Sequence, residues 1–99
     1  MKIVAVTACP TGIAHTYMAA DLLQKEANRL GLAIKVETQG AMGIENTLTV
    51  NDIATSDIQI IVSDIKIEGI ERFHGCRPIT IPIETVLVDV HSVLTKYVS

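Results

Sequence analysis

Apolar positions along this chain follow two periods, and the two alternate. Ile3-Val4-Ala5-Val6, Ile58-Gln59-Ile60-Ile61-Val62 and Pro78-Ile79-Thr80-Ile81 are short runs rich in β-branched residues, the pattern of strands buried on both faces of a parallel sheet. Ala33-Ile34-Lys35-Val36-Glu37-Thr38 alternates instead and predicts a further strand. Between the first two, Met18, Ala19, Leu22, Leu23, Ala27 and Leu30 recur at helical spacing, with Asp21, Lys25, Glu26 and Arg29 on the other faces and Gly31 as the stop. Thr49-Val50-Asn51-Asp52 has the form of a capping box, with Asp in place of Glu, opening a short helix through Ala54. Val86, Leu87, Val90, Leu94, Tyr97 and Val98 mark one face of a closing helix whose first turn can hold Pro82. Gln39 to Gly43 reads as a glycine-flanked loop, and residues 65–75 show no regular period beyond room for a turn or short helix at Gly69 to Phe73.

Strands alternating with helices predict an α/β fold, a three-layer open sandwich around a four-stranded parallel sheet of Rossmann-like or flavodoxin-like type, with right-handed crossovers. The 99 residues predict one domain, 1–99, with no repeat or linker dividing it. Hydrophobic residues are 48% of the chain but aromatics only 3%, so the core is built from Ile, Val, Leu and Ala. No apolar stretch approaches the roughly 20 residues of a membrane helix. A net charge of −3 and only Tyr17, Phe73 and Tyr97 as aromatics argue against nucleic acid as a partner. Cys9 and Cys76, with no signal peptide ahead of them, point to a reducing cytoplasm and to free thiols. Their spacing relative to His15, His74 and His91 matches no zinc pattern, His74-Gly75-Cys76 included.

The chemistry concentrates in Ala8-Cys9-Pro10-Thr11-Gly12-Ile13-Ala14-His15-Thr16, between the first strand and the first helix. An isolated cysteine at a strand end is ordinarily an inert small hydrophobe. Cys9 instead stands where ligands bind in parallel sheets, at a strand's carboxyl end, with Gln39 and Asp64 following the ends of the second and third strands. Gly12 lets the backbone approach a ligand closely, and the amides of the following residues can form an anion nest. The helix beginning near Thr16 adds unpaired N–H groups and the positive end of its dipole. That setting favours thiolate over thiol at Cys9 and lowers its pKa. Residues Pro10, Thr11, Gly12, Ile13, Ala14, His15 and Thr16 would then hold phosphoryl oxygens once Cys9 has attacked phosphorus. The reading is a phosphocysteine site without metal.

A thiol phosphatase uses the same geometry, with Cys, five residues, Arg and then Ser or Thr. Here His15 stands at the Arg position, and an imidazole does not reproduce the bidentate guanidinium. No Asp-Pro pair supplies the usual general acid, and Asp64 is the one carboxylate this reading places near the loop. Such a site accepts a phosphoryl group yet is poorly equipped to hydrolyse it, which suits a carrier. His15 contributes either its backbone N–H at the helix start or its imidazole, and the backbone role needs no particular side chain.

VTACPTGIAHT resembles the phosphorylation loop of the fructose-type Enzyme IIB domains of the bacterial phosphoenolpyruvate-dependent sugar phosphotransferase system. The resemblance continues through KVETQG, Gly43, Asn46-Thr47-Leu48-Thr49, Asp52-Ile53 and Arg72-Phe73-His74-Gly75-Cys76-Arg77-Pro78, nearly the whole chain. It implies a phosphocysteine at Cys9 that takes its phosphoryl group from a phosphohistidine on a IIA domain and passes it to a sugar, fructose or a related hexose, in the membrane-embedded IIC component. Phosphoenolpyruvate would act upstream through Enzyme I and HPr, and no metal or organic cofactor is implied. A cytoplasmic monomer that docks transiently, at most peripherally at the membrane through IIC, follows from that role. With no IIA or IIC segment in this chain, those partners would be separate polypeptides. The chain departs from the family in having Cys76-Arg77-Pro78 where a Lys commonly precedes the Pro, and Arg77 would restore the charge one position later. A hydrolase of the low-molecular-weight tyrosine-phosphatase kind and a phosphorylation-state sensor are the competing readings. Met42 and Ile13 are candidate docking contacts, with burial as the alternative for either.

Overall fold

The central strand β1, Lys2–Ala8, is buried along nearly its whole length, and its side chains sort by parity into two cores. Ile3 and Ala5 join Ala19, Leu23, Ala27, Ile60, Val62, Val86 and Leu94 on one face. Val4, Val6 and Ala8 join Leu48, Ile53, Ile61, Ile67 and Phe73 on the other. Period-two alternation therefore assigns both faces of β1 to protein, and each fully buried Ile or Leu contributes about 1.5–3 kcal/mol. The molecule is a computed structural model that describes residues 1–9 and 14–98.

From the amino end the elements are β1, helix α1 (Ala14–Arg29), β2 (Ala33–Gly40), β3 (Gly43–Glu45), helix α2 (Val50–Ala54), β4 (Ile58–Ser63), a 3-10 turn at Ile70–Phe73, β5 (Ile79–Ile81) and helix α3 (Ile83–Val98). The strand order is β3-β2-β1-β4-β5. The four parallel strands expected from the apolar runs are β2, β1, β4 and β5. The sheet has a fifth strand that the pattern did not announce: β3 pairs antiparallel with β2, Gly40 opposite Gly43, around a turn at Ala41-Met42. The segment expected as a loop from Gln39 to Gly43 is thus a β-hairpin, and the sheet is mixed. All three residues of β3 are exposed, so burial left no apolar run to mark it.

Helices α1 and α3 cover one face of the sheet, and α2 with the 3-10 turn covers the other, which makes the three layers. Thr16, Ala19, Leu23 and Ala27 are the buried stripe of α1. Gly31, at φ 74°, ends the helix: its N–H reaches Asn28 O at 3.1 Å and that of Leu32 reaches Ala27 O at 2.8 Å, the paired bonds of a Schellman motif. The capping box at α2 forms as expected, Thr49 bonding Asp52 N while the Asp52 carboxylate accepts from Thr49 N.

The closing helix is interrupted. Asp89 takes φ −154°, ψ 78° inside α3, and its carboxylate caps the second half by accepting from Ser92 N at 3.1 Å and Ser92 Oγ at 2.7 Å. Val86 and Leu94 are buried on either side of the break and Leu87, Val90 and Tyr97 pack against the same core, so the predicted stripe survives the kink. The side chain of Val98 lies outside the described part.

Candidate functional site

The three central strands end level with one another. Ala8, the last residue of β1, is in register with Gln39 of β2 and Ser63 of β4, so Cys9 emerges between Gly40 and Asp64. Cys9 is 7% exposed and packs with the core beneath α1. Thr16, in the first turn of α1 and fully buried, donates from Oγ1 to Cys9 Sγ at 3.2 Å. Thr7, the second-last residue of β1, donates from Oγ1 to the Thr16 carbonyl at 3.0 Å. Strand and helix are thereby tied with a hydroxyl of the first turn on the sulfur, a donor that stabilises negative charge there.

Of the expected phosphate loop, Pro10, Thr11, Gly12 and Ile13 lie outside the described residues. Ala14, His15 and Thr16 form the first turn of α1, with Ala14 and His15 exposed. Tyr17 follows and its hydroxyl accepts the Met42 N–H at 3.3 Å, strapping the β2–β3 turn to the helix start. Met42 itself is 70% exposed, so the buried role weighed for it does not hold. Asp64, one residue past β4, is exposed.

Beside Cys9 a cleft of about 300 Å³ is lined by Ala8, Gln39, Gly40, Gly43, Ile44, Ile65, Lys66 and Glu68. A larger hollow, about 590 Å³, runs along α3 from Ile81 to Tyr97, and Cys9 and Thr16 do not line it. The smaller cleft opens at the carboxyl ends of the strands, and Cys9 is not among its lining residues.

Spacing did not disclose Glu37 and Arg72 as partners. Glu37 is fully buried on the face of β2 opposite Val36, and Arg72 reaches it from the 3-10 turn with two parallel bonds, 2.7 and 2.9 Å. Burial pushes the Glu37 carboxyl up, while the bonds from Arg72, Gln39 and the Leu48 N–H outweigh it and hold the group below the usual carboxylate range. Both residues fall in the stretches that carried the family resemblance, KVETQG and the segment from Arg72 to Pro78, and that coincidence was the only available signal. Cys76 is half-buried against the α2 face of the sheet, and its neighbour Arg77 is exposed. Among the described residues no three His, Cys, Asp or Glu side chains converge on a metal-sized site, and no helix is long and apolar enough to cross a membrane.

Comparison with known proteins is consistent in kind. The family model for "PTS system, Lactose/Cellobiose specific IIB subunit" matches residues 4–96. "PTS system fructose-like EIIB component 2" of Escherichia coli K12 is 45% identical over 95 residues, 96% of this chain and 90% of that protein. The fructose-specific EIIABC component of Bacillus subtilis is 51% identical over 82 residues, 83% of this chain but 13% of that larger protein. Among solved structures, a domain of fruA from Bacillus subtilis superposes with TM-score 0.87 at 43% identity, covering 97% of this chain and 91% of that one. The Enzyme IIB subunit of the PTS system from Escherichia coli K12 gives TM-score 0.88 at 38% identity, covering 96% and 88%.

Proposed function

The chain belongs to the IIB family of the sugar phosphotransferase system and is a phosphoryl carrier in it, and from that premise we propose that Cys9 is the residue that carries the phosphoryl group. The observation that supports this most directly is the Thr16 Oγ1 bond to Cys9 Sγ at 3.2 Å, at the N-terminus of a 16-residue helix and at the carboxyl end of the central strand. A thiolate held there is a competent nucleophile and, because a lowered pKa makes it a weaker base, a competent leaving group.

In the first half-reaction Sγ attacks phosphorus in line with the P–N bond of a phosphohistidine on a IIA partner. The S–P bond forms, the P–N bond breaks, and the departing imidazole nitrogen takes up a proton. In the second, a sugar hydroxyl attacks the same phosphorus, loses its proton to its surroundings, and returns Cys9 as the thiolate. The amides opening α1, including that of His15, face the transferred oxygens, where positioning and electrostatics supply most of the rate. Pro10, Thr11, Gly12 and Ile13 complete the loop in this proposal. In this proposal His15 contributes its backbone N–H, a role that needs no particular side chain. The sugar is fructose or a fructose-like hexose, in keeping with the relatives named above, presented by a IIC membrane component. The protein works as a single domain and a monomer in the cytoplasm, docking on IIA and IIC in turn.

The experiment is phosphorylation of the purified chain with phosphoenolpyruvate, Enzyme I, HPr and a fructose-type IIA, followed by intact mass and mapping. One phosphoryl group on Cys9 is expected. Cys9→Ser should lose it while remaining folded, since a serine alkoxide is scarcely accessible near neutral pH, and Cys76→Ser should keep it. A label on Cys76, or none from an active IIA, would overturn the assignment.

A further inference from the structure

Thr7 is fully buried in the middle of the sheet, in register with Thr38 of β2 and Val62 of β4. By alternation along β1 it stands with Ile3, Ala5 and Cys9 on the face that α1 covers. A β-branched apolar residue would suit that strand position as well, whereas a buried hydroxyl costs free energy that its own hydrogen bond does little more than offset. The use of the hydroxyl lies in where its bond goes. Oγ1 donates to the carbonyl of Thr16 at 3.0 Å, and Thr16 is the residue whose own Oγ1 donates to Cys9 Sγ at 3.2 Å, both bonds being buried. Two residues of one strand, Thr7 and Cys9, thus hold the carbonyl and the hydroxyl of a single helical residue.

The first turn of a helix has no intrahelical acceptors for its N–H groups, and helix ends are the first parts to open. Thr16 lies in that turn, behind the exposed Ala14 and His15. β1, by contrast, is paired along both edges, so Thr7 is a firm anchor. A helical carbonyl has a second lone pair and can accept such a bond without leaving the helix. Once that carbonyl is fixed, only χ1 separates the Thr16 backbone from Oγ1, and χ1 of a β-branched residue has few choices. We infer that Thr7 is a positioning residue for the reaction at Cys9 and acts through Thr16: its bond holds the first turn of α1 at the distance from β1 that keeps the Thr16 hydroxyl on the sulfur. That hydroxyl then serves both half-reactions, stabilising Sγ as the nucleophile when the S–P bond forms and as the leaving group when it breaks. The role in transfer rests on the phosphocysteine reading.

Three variants of Thr7 test it. Thr7→Val removes the hydroxyl and keeps the branching, Thr7→Ala removes it without setting a methyl group against a carbonyl 3.0 Å away, and Thr7→Ser keeps it. Alkylation of Cys9 by iodoacetamide is followed against pH in a Cys76→Ser background. On the acid side of the profile the rate should fall about threefold in the valine and alanine variants, as for a weakened hydrogen bond, and the serine variant should restore it. The alkaline plateau should not fall, because a more basic thiolate is the better nucleophile. Thr16→Val alone and Thr16→Val with Thr7→Val should give the same profile, since Thr7 has nothing left to position once the Thr16 hydroxyl is gone. In transfer from phosphorylated IIA, kcat should fall by about the same threefold with KM unchanged. An unchanged acid limb, a lowered plateau, a loss that serine does not restore, or additive losses in the double variant would each overturn the positioning role. Wild-type protein that takes no phosphoryl group on Cys9 would instead bring down the phosphocysteine reading, and the role in transfer with it.

Discussion

Two side chains separate what each residue does here. Thr16 is buried and spends its hydroxyl proton on Cys9 Sγ, so its value lies in the charged state of the sulfur. Thr16→Val, nearly isosteric, should slow alkylation of Cys9 near neutral pH by about tenfold or more, as befits loss of a hydrogen bond to a charged group, with little change in fold. Measuring the alkylation rate against pH checks this, and an unchanged profile would mean that the helix terminus alone stabilises the thiolate. Glu37 works in the opposite sense. Glu37→Leu leaves the Arg72 guanidinium, only 16% exposed, without its counter-ion, and should cost about 3–5 kcal/mol in urea unfolding. Adding Arg72→Leu should recover most of that loss, because the uncompensated charge is then gone. Cys9 and Thr16 were legible in the sequence because strand, loop and helix start are consecutive. The pairing of Glu37 with Arg72 was not, since 35 residues separate them and alternation in β2 marks position 37 only as polar.

At the scale of elements, Gly31 and Gly69 offer a matched comparison. Both hold a left-handed φ, 74° and 73°, but a Cβ at Gly31 meets nothing within 4 Å, whereas one at Gly69 meets the Arg72 guanidinium. Gly31→Ala should cost about 1–2 kcal/mol, the penalty of the backbone conformation itself. Gly69→Ala should cost measurably more in the same denaturation series, because Arg72 must give up bonds as well. Equal losses would show that Arg72 shifts without penalty. The helices and the four parallel strands were legible as periodicity and apolar runs. Two features were not: β3, whose exposed residues carry no burial signal, and the break at Asp89, where the apolar stripe runs on through residues that are locally recapped.

For the whole molecule, acid is the informative perturbation. Glu26 joins α1 to α3, bonded by Arg29 on its own helix and by His91 Nδ1 at 2.6 Å across the interface; these bonds, that of Arg29 foremost, lower its pKa from 4.5 to about 2. Asp52, held first by Lys35 and then by the Thr49 N–H, is depressed as well, as is Glu37. A carboxylate with a depressed folded pKa contributes stability that is complete above its unfolded value and is lost as pH falls toward the folded one. Stability should therefore hold above pH about 4.5 and decline toward about 2, which urea midpoints across that range would check; a decline beginning near neutrality would point to other groups. Local sequence by itself determined the helices, the four parallel strands and the place of Cys9 at a strand end, because periodicity, capping and the strand–loop–helix order act over a few residues. Only the tertiary structure decided that the polar face of β2 is covered by an arginine, that the Gln39 side chain bonds the backbone of residue 68, and that a fifth strand completes the rim of the cleft. Those depend on which distant segments the sheet brings together, and a buried charge reveals its partner only once both are in place.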